Sequence, residues 1–198
     1  MDQLRRAQSA ESIQLASAHI CEKFFNQAQA ELSPDFFKSR RVALYRALPR
    51  ELSLVLLETW LAQAGAILHF PKCLPETDVS MEMLEVETHQ LKGFSIGPYG
   101  VHEPPLKAKP VGPSALDLII VPGVAFGPAG ERIGLGKGYY DRYLPQAPQA
   151  LRVSLAFDFQ LVNSLEQSEW DQPIDWILTN HREVRTNRFE KWKNGVPR

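Results

Sequence analysis

Apolar residues at Ile13, Ala16, Ile20, Phe24 and Ala28 recur at helical spacing, and neither proline nor glycine interrupts residues 9–32. The pattern predicts one long amphipathic helix that stops before Ser33-Pro34. Residues 42–45 then read as a short buried strand, a second helical pattern runs from about 51 to 64 and stops at Gly65, and 66–70 read as the next strand. Strand, helix and strand with short joints predict a βαβ crossover, hence parallel strands in a layered α/β fold. Partial alternation around Met81, Met83, Leu84 and Val86 predicts one or two strands within 75–91. The proline- and glycine-rich stretch 97–113 predicts a surface loop. Residues 117–121 form the most apolar strand candidate and run into Pro122-Gly123. A helix can open at 139–144, strands follow at 151–157 and 175–179, and the charged tail from about Arg185 is expected to fray.

Composition narrows the field without naming a chemistry. A chain of 198 residues with 44% hydrophobic content can bury one sizeable core, so a single domain over 1–198 is expected. Lysine plus arginine (22) balance aspartate plus glutamate (23), which leaves no global field to draw the protein to nucleic acid or an acidic membrane. No apolar run reaches the roughly 18 to 20 residues that span a bilayer, and the N-terminus lacks a signal-peptide stretch, so a cytoplasmic protein is expected. Cys21 and Cys73 form no CxxC pattern and read as buried or incidental thiols. His19, His69, His89 and His102 lack metal-ligand spacing, which discounts zinc. Trp170 and Trp176 read as core or rim packing.

The densest chemical signal is PGVAFGPAGERIGLGKGYYDRYL at 122–144. Gly134, Gly136 and Gly138 alternate beside Arg132 and Lys137, so backbone can approach an anion while two cations neutralise it, as a polyphosphate site requires. The spacing matches neither a P-loop nor the dinucleotide fingerprint, and the bland alternative is a tight turn with solvated charges. Asp141 follows Tyr139-Tyr140 closely enough to hold magnesium against bound phosphates; as a lone aspartate it could equally serve a helix N-terminus. Asp171 and Asp175 precede the last strand, where Asp171 could supply a second magnesium carboxylate or form a turn.

These residues resemble the 5-formyltetrahydrofolate cyclo-ligases, also called 5,10-methenyltetrahydrofolate synthetases. DLIIVPGVAF, GERIG, GKGYYDRYL, LAFDFQL and DQPIDWILT stand in that family's order and spacing and cover most of the chain. The resemblance implies a three-layer α/β sandwich with a mostly parallel central sheet and helices on both faces. It implies ATP contacts at Arg5, Arg132, Ile133, Gly134, Leu135, Gly136, Lys137, Gly138, Tyr139 and Tyr140, with Mg2+ on Asp141 and Asp171. Substrate would lie against Gly136, Lys137, Gly138 and Tyr139, with Glu51 at the start of the second helix. The implied reaction is the ATP- and magnesium-dependent conversion of 5-formyltetrahydrofolate to 5,10-methenyltetrahydrofolate, releasing ADP and phosphate, with Lys137 and Arg132 as the catalytic cations. A monomer or weak dimer is expected, without nucleic-acid or membrane partners.

Three positions depart from the family's pattern. The N-terminal K-x-x-L-R motif survives only as Leu4-Arg5-Arg6, Gly127 replaces an acidic residue after Phe126, and Leu135 replaces an arginine between two glycines. Slower turnover or weaker ATP binding would follow, and a catalytically weakened folate binder or regulator is the alternative reading. An unrelated nucleotide-dependent phosphotransferase stands third.

Overall fold

The first apolar stripe forms helix α1 (Ala10–Glu31) in a computed structural model that describes residues 4, 7–74, 80–105 and 107–195. The Ser9 hydroxyl accepts from the Ser12 amide at 3.0 Å and so satisfies one of the first-turn donors. Ile20, Cys21, Phe24 and Ala28 face inward from this helix.

Eight strands build the main sheet: β1 (Arg41–Ala43), β2 (Ile67–Cys73), β3 (Met81–Glu85), β6 (Lys109–Val111), β7 (Leu118–Ile120), β10 (Leu151–Leu155), β11 (Trp176–Leu178) and β12 (Glu183–Arg185). Two small hairpins lie outside it, β4 (Ser95–Ile96) with β5 (His102–Glu103), and β8 (Ala125–Phe126) with β9 (Arg132–Ile133). The sheet order is β12-β11-β10-β7-β1-β2-β3-β6. Its five central strands pair in parallel, and the strands outside them pair antiparallel. From β1 the chain moves outward to β2, then returns to place β7 on the other side of β1. That reversal makes a crevice between the carboxyl ends of β1 and β7, where open α/β sheets bind ligands.

Alternate strand residues feed two separate cores. Val42, Leu68, Leu118, Ile120 and Trp176 pack with α1, α2 (Val55–Gln63) and Phe189 of α4 (Asn187–Gly195). Ala43, Ile119, Val121 and Ile177 pack on the other side with Phe126 of β8 and Tyr143 of α3 (Tyr139–Tyr143). The layers are therefore unequal: three helices cover one face, and a five-residue helix with a hairpin covers the other. No helix among the described residues is long and apolar enough to cross a membrane.

The structure corrects three expectations. Residues 97–113 are not wholly a loop, because β5 and β6 fall inside them and β6 extends the sheet beside β3. Pro110 fits there because β6 is the sheet's edge strand, where no further neighbour needs its missing N–H. The tail does not fray at Arg185: β12 pairs with β11, and α4 sets Phe189 fully buried at 5.2 Å from the Trp176 ring. Arg185 pairs with Glu31 of α1, and Arg188 reaches buried Asp175 at 2.7 Å. The second helix begins at Val55 instead of near 51, since the Ser53 amide donates to Ser17 Oγ of α1 at 3.1 Å and Arg50 adopts φ 69°.

Candidate active site

Beyond β7 the chain passes Pro122-Gly123 into the β8–β9 hairpin, closed by the Val124 amide to the Ile133 carbonyl at 2.7 Å. This hairpin carries Arg132 back beside the end of β7, where its side chain is 97% hidden and donates to the Pro122 carbonyl at 3.3 Å. Its other terminal nitrogen meets Asp141 Oδ1 at 2.5 Å, and its guanidinium lies 6.0 Å from the Tyr140 ring centre. The same Asp141 oxygen accepts the Gln172 amide at 3.4 Å, which draws the 168–175 segment to the turn. Arg152 supports that segment from below, donating to Gln172 Oε1 at 3.3 Å and to the Leu144 carbonyl at 2.8 Å.

Between β9 and α3 the turn requires glycine at two points, Gly136 at φ 80° and Gly138 at φ 70°. Gly134 is constrained differently: a side chain there would sit 2.6 Å from the Arg132 guanidinium. The turn holds Leu135 and Lys137 at the surface, with Leu135 65% exposed.

A cavity of about 360 Å³ lies over the crevice. Residues 132–141, Glu51 and Asp171 all line it, so the structure brings together every described residue of the sequence-derived site. Arg5 lies outside the described residues. Glu51 reaches the cavity from a loop, not from a helix start, and its carboxylate accepts the Leu48 amide at 2.9 Å. Asp171 accepts the Ser168 amide at 2.7 Å, the geometry of a turn former, while still lining the cavity. Among the described residues no cluster of three or more His, Cys, Asp or Glu is placed to hold a metal ion. Asp141 and Asp171 nevertheless match the one or two carboxylates that suffice for magnesium when phosphates complete the shell.

Sequence reading missed the part of the wall that follows β1 and β2. Tyr45, Arg46, Pro71 and Cys73 line the cavity. The available signal was position, since Arg46 directly follows the first predicted strand at its carboxyl end. Burial pushes the Cys73 thiol up, although a hydrogen bond with Tyr139 opposes the rise, so this cysteine is no ready nucleophile. Burial also raises the Tyr140 hydroxyl above its ordinary range, and that oxygen makes no hydrogen bond. Trp176 is core, whereas Trp170 is 74% exposed next to Asp171.

The family model of the 5-formyltetrahydrofolate cyclo-ligase family matches residues 1–180. The 5-formyltetrahydrofolate cyclo-ligase of Escherichia coli is 33% identical over 149 residues, covering 74% of this chain and 81% of that protein. The mouse 5-formyltetrahydrofolate cyclo-ligase is 25% identical over 187 residues, covering 90% and 89%. Among solved structures, the 5,10-methenyltetrahydrofolate synthetase of Aquifex aeolicus superposes with a TM-score of 0.75 at 31% identity, over 93% of this chain and 88% of that one.

Proposed function

This chain belongs to the 5-formyltetrahydrofolate cyclo-ligase family and is an enzyme of its ligase type, and from that premise we propose how the cavity performs the reaction. The substrates are ATP and 5-formyltetrahydrofolate, and the products are 5,10-methenyltetrahydrofolate, ADP and phosphate. One observation carries the reading: residues 132–141, Glu51 and Asp171, distant in sequence, line a single cavity at the strand reversal.

A formamide carbon is a poor electrophile and its oxygen a poor leaving group. Ring closure therefore needs that oxygen converted to a phosphate ester. The formyl oxygen attacks the γ-phosphorus of ATP and ADP departs; N10 then bonds to the formyl carbon and gives up its proton, and the carbon–oxygen bond breaks to release phosphate, which can carry that proton away. No protein nucleophile enters this scheme, in keeping with a half-buried Cys73 thiol raised by desolvation.

The chain's contribution is position and charge. Backbone at Gly134, Gly136 and Gly138 approaches the phosphates, Lys137 and Arg132 offset charge on the transferring group, and Glu51 orients the folate. Asp141 fixes Arg132 through their 2.5 Å contact. Asp141 and Asp171 would hold magnesium, which when bound supplies further neutralisation of phosphate charge. The cytoplasm supplies both substrates, and the protein would act there as a monomer or weak dimer.

The alternative of a folate binder without turnover draws support from Leu135, which presents an exposed apolar tip in place of a cation. Product formation separates the two readings. Mixing protein with 5-formyltetrahydrofolate, magnesium and ATP should raise the near-ultraviolet absorbance of the methenyl product. Folate binding with no such rise, over any time course, would replace the enzyme reading with the binder.

A further inference from the structure

Arg46 and Glu58 form a pair that the reaction scheme leaves unused. Arg46 leaves the end of β1, lines the cavity, and has one terminal nitrogen 3.0 Å from Glu58 Oε2 and 3.0 Å from the Leu91 carbonyl. Its guanidinium lies against two aromatic rings, 4.3 Å from the centre of Phe94 and 5.2 Å from that of Phe70. The rings themselves meet edge to face at 4.9 Å, so both contribute to the cation–π contact that holds the guanidinium at the cavity wall. The side chain of Glu58 is 3% exposed and that of Arg46 16% exposed.

The pair is incompletely satisfied. Arg46 Nε and Glu58 Oε1 are both buried without a hydrogen bond. A purely structural strut gains little from an arrangement that desolvates two charges and leaves an atom of each unbonded. A cation fixed on a cavity wall and paired with the buried carboxylate of Glu58 is instead organised to receive a second anion.

We propose that Arg46 is a specificity-determining residue that receives a carboxylate of the folate's glutamate tail, and that Glu58 is a positioning residue that competes for the same guanidinium. The inference rests on the folate reading of the cavity. Carboxylates are the formal anions a reduced folate carries, and the planar fork of arginine matches them.

Competition between two carboxylates makes the affinity depend on the protonation of Glu58. Burial outweighs the nearby Arg46 charge and raises Glu58 to about 7. The titratable groups facing it are Arg46 and, from α1, Cys21, whose thiol is raised to about 12, so neither changes charge near neutrality. Below pH 7 a neutral Glu58 leaves the Arg46 charge to the substrate. Above it the ionised Glu58 draws that charge back, and folate affinity falls.

Calorimetric titration with 5-formyltetrahydrofolate, without ATP so that no phosphate titrates, tests this at pH 6 and pH 8. Wild type should bind roughly 5-fold more weakly at pH 8, within the limit of about 10-fold per pH unit for one linked proton. Glu58→Gln should bind equally at both values. Arg46→Gln should bind at least about 10-fold more weakly at pH 6, the loss of one charge-assisted contact, and its kinetic defect should fall on KM. A formyltetrahydropterin lacking the glutamate should show no pH dependence with wild type. Wild-type pH dependence persisting in Glu58→Gln, or retained by the tail-less analogue, would overturn the inference while leaving the folate site standing. No binding by wild type at either pH would overturn the folate site itself, and this inference with it. Should Arg46→Gln fail to fold, the Glu58→Gln profile decides alone.

Discussion

Gly123 joins the sheet to the site, and replacing it with alanine should disturb both. Its backbone avoids the left-handed region, so the perturbation is purely steric. The new methyl carbon would lie 2.8 Å from Phe126 Cε1, closer still to Phe126 Cζ, and 3.2 Å from Arg132 Cγ. Phe126 is 1% exposed within the core cluster that includes Ile119, Val121 and Leu161, so its ring has no open space to turn into. Overpacking of this kind costs about 1 to 3 kcal/mol. At roughly 2 to 4 °C per kcal/mol for a chain of this size, the melting temperature should fall by about 2 to 12 °C. Any relief that moves Arg132 also loosens its contact with Asp141, so KM for ATP should rise in the same variant. Gly112→Ala is the control: nothing lies within 4 Å of its added carbon and its φ is −66°, so it should stay within about 0.5 kcal/mol of wild type. Calorimetric melting of the three proteins decides the matter. A Gly123→Ala melting temperature within about 1 °C of wild type would show that the packing around the β7 exit is not what holds Arg132 in place.

Phe189→Ala should cost about 3 to 5 kcal/mol on denaturant unfolding, because the ring is fully buried against Trp176; a negligible loss would mean α4 is not part of the core. Glu58, raised to about 7 in the fold, contributes stability that is fully present below its ordinary 4.5 and is lost as pH rises through 7. That loss is on the order of 3 kcal/mol, and Glu58→Gln should flatten it; parallel stability-pH curves for the two proteins would refute the assignment. Asp141→Asn should weaken both ATP binding and stability, since it removes the one carboxylate that Arg132 meets at 2.5 Å, and an unchanged affinity for ATP at varied magnesium would contradict its role.

What the sequence made legible was the part of the fold written in local periodicity. The stripe of α1 and the apolar β7 and β11 strands all fall where hydrophobic spacing puts them. Residues 132–141 were legible for a related reason: a turn built on alternating glycines keeps its cations and its carboxylate within ten consecutive positions. Edge strand β6 escaped notice because Pro110 reads as a breaker unless the missing neighbour is known. The tail misled because its charges look solvated until the fold supplies Glu31 and Asp175 as partners. Arg46 and Glu58 carried no pattern at all. A single arginine and a single glutamate twelve positions apart become a site only when α2 folds against the end of β1 and the Phe70–Phe94 pair packs beside the guanidinium.

The most direct measurement follows the formyl oxygen itself. With 18O in the formyl group of 5-formyltetrahydrofolate, turnover by the wild-type protein should deliver the label into inorganic phosphate, one labelled oxygen per methenyl product. Lys137→Ala should slow that transfer by about 10²- to 10³-fold, as expected for removal of one preorganised charge at the phosphoryl group. Label appearing in water, or phosphate released at the same rate without folate, would contradict phosphoryl transfer to the formyl oxygen in this cavity.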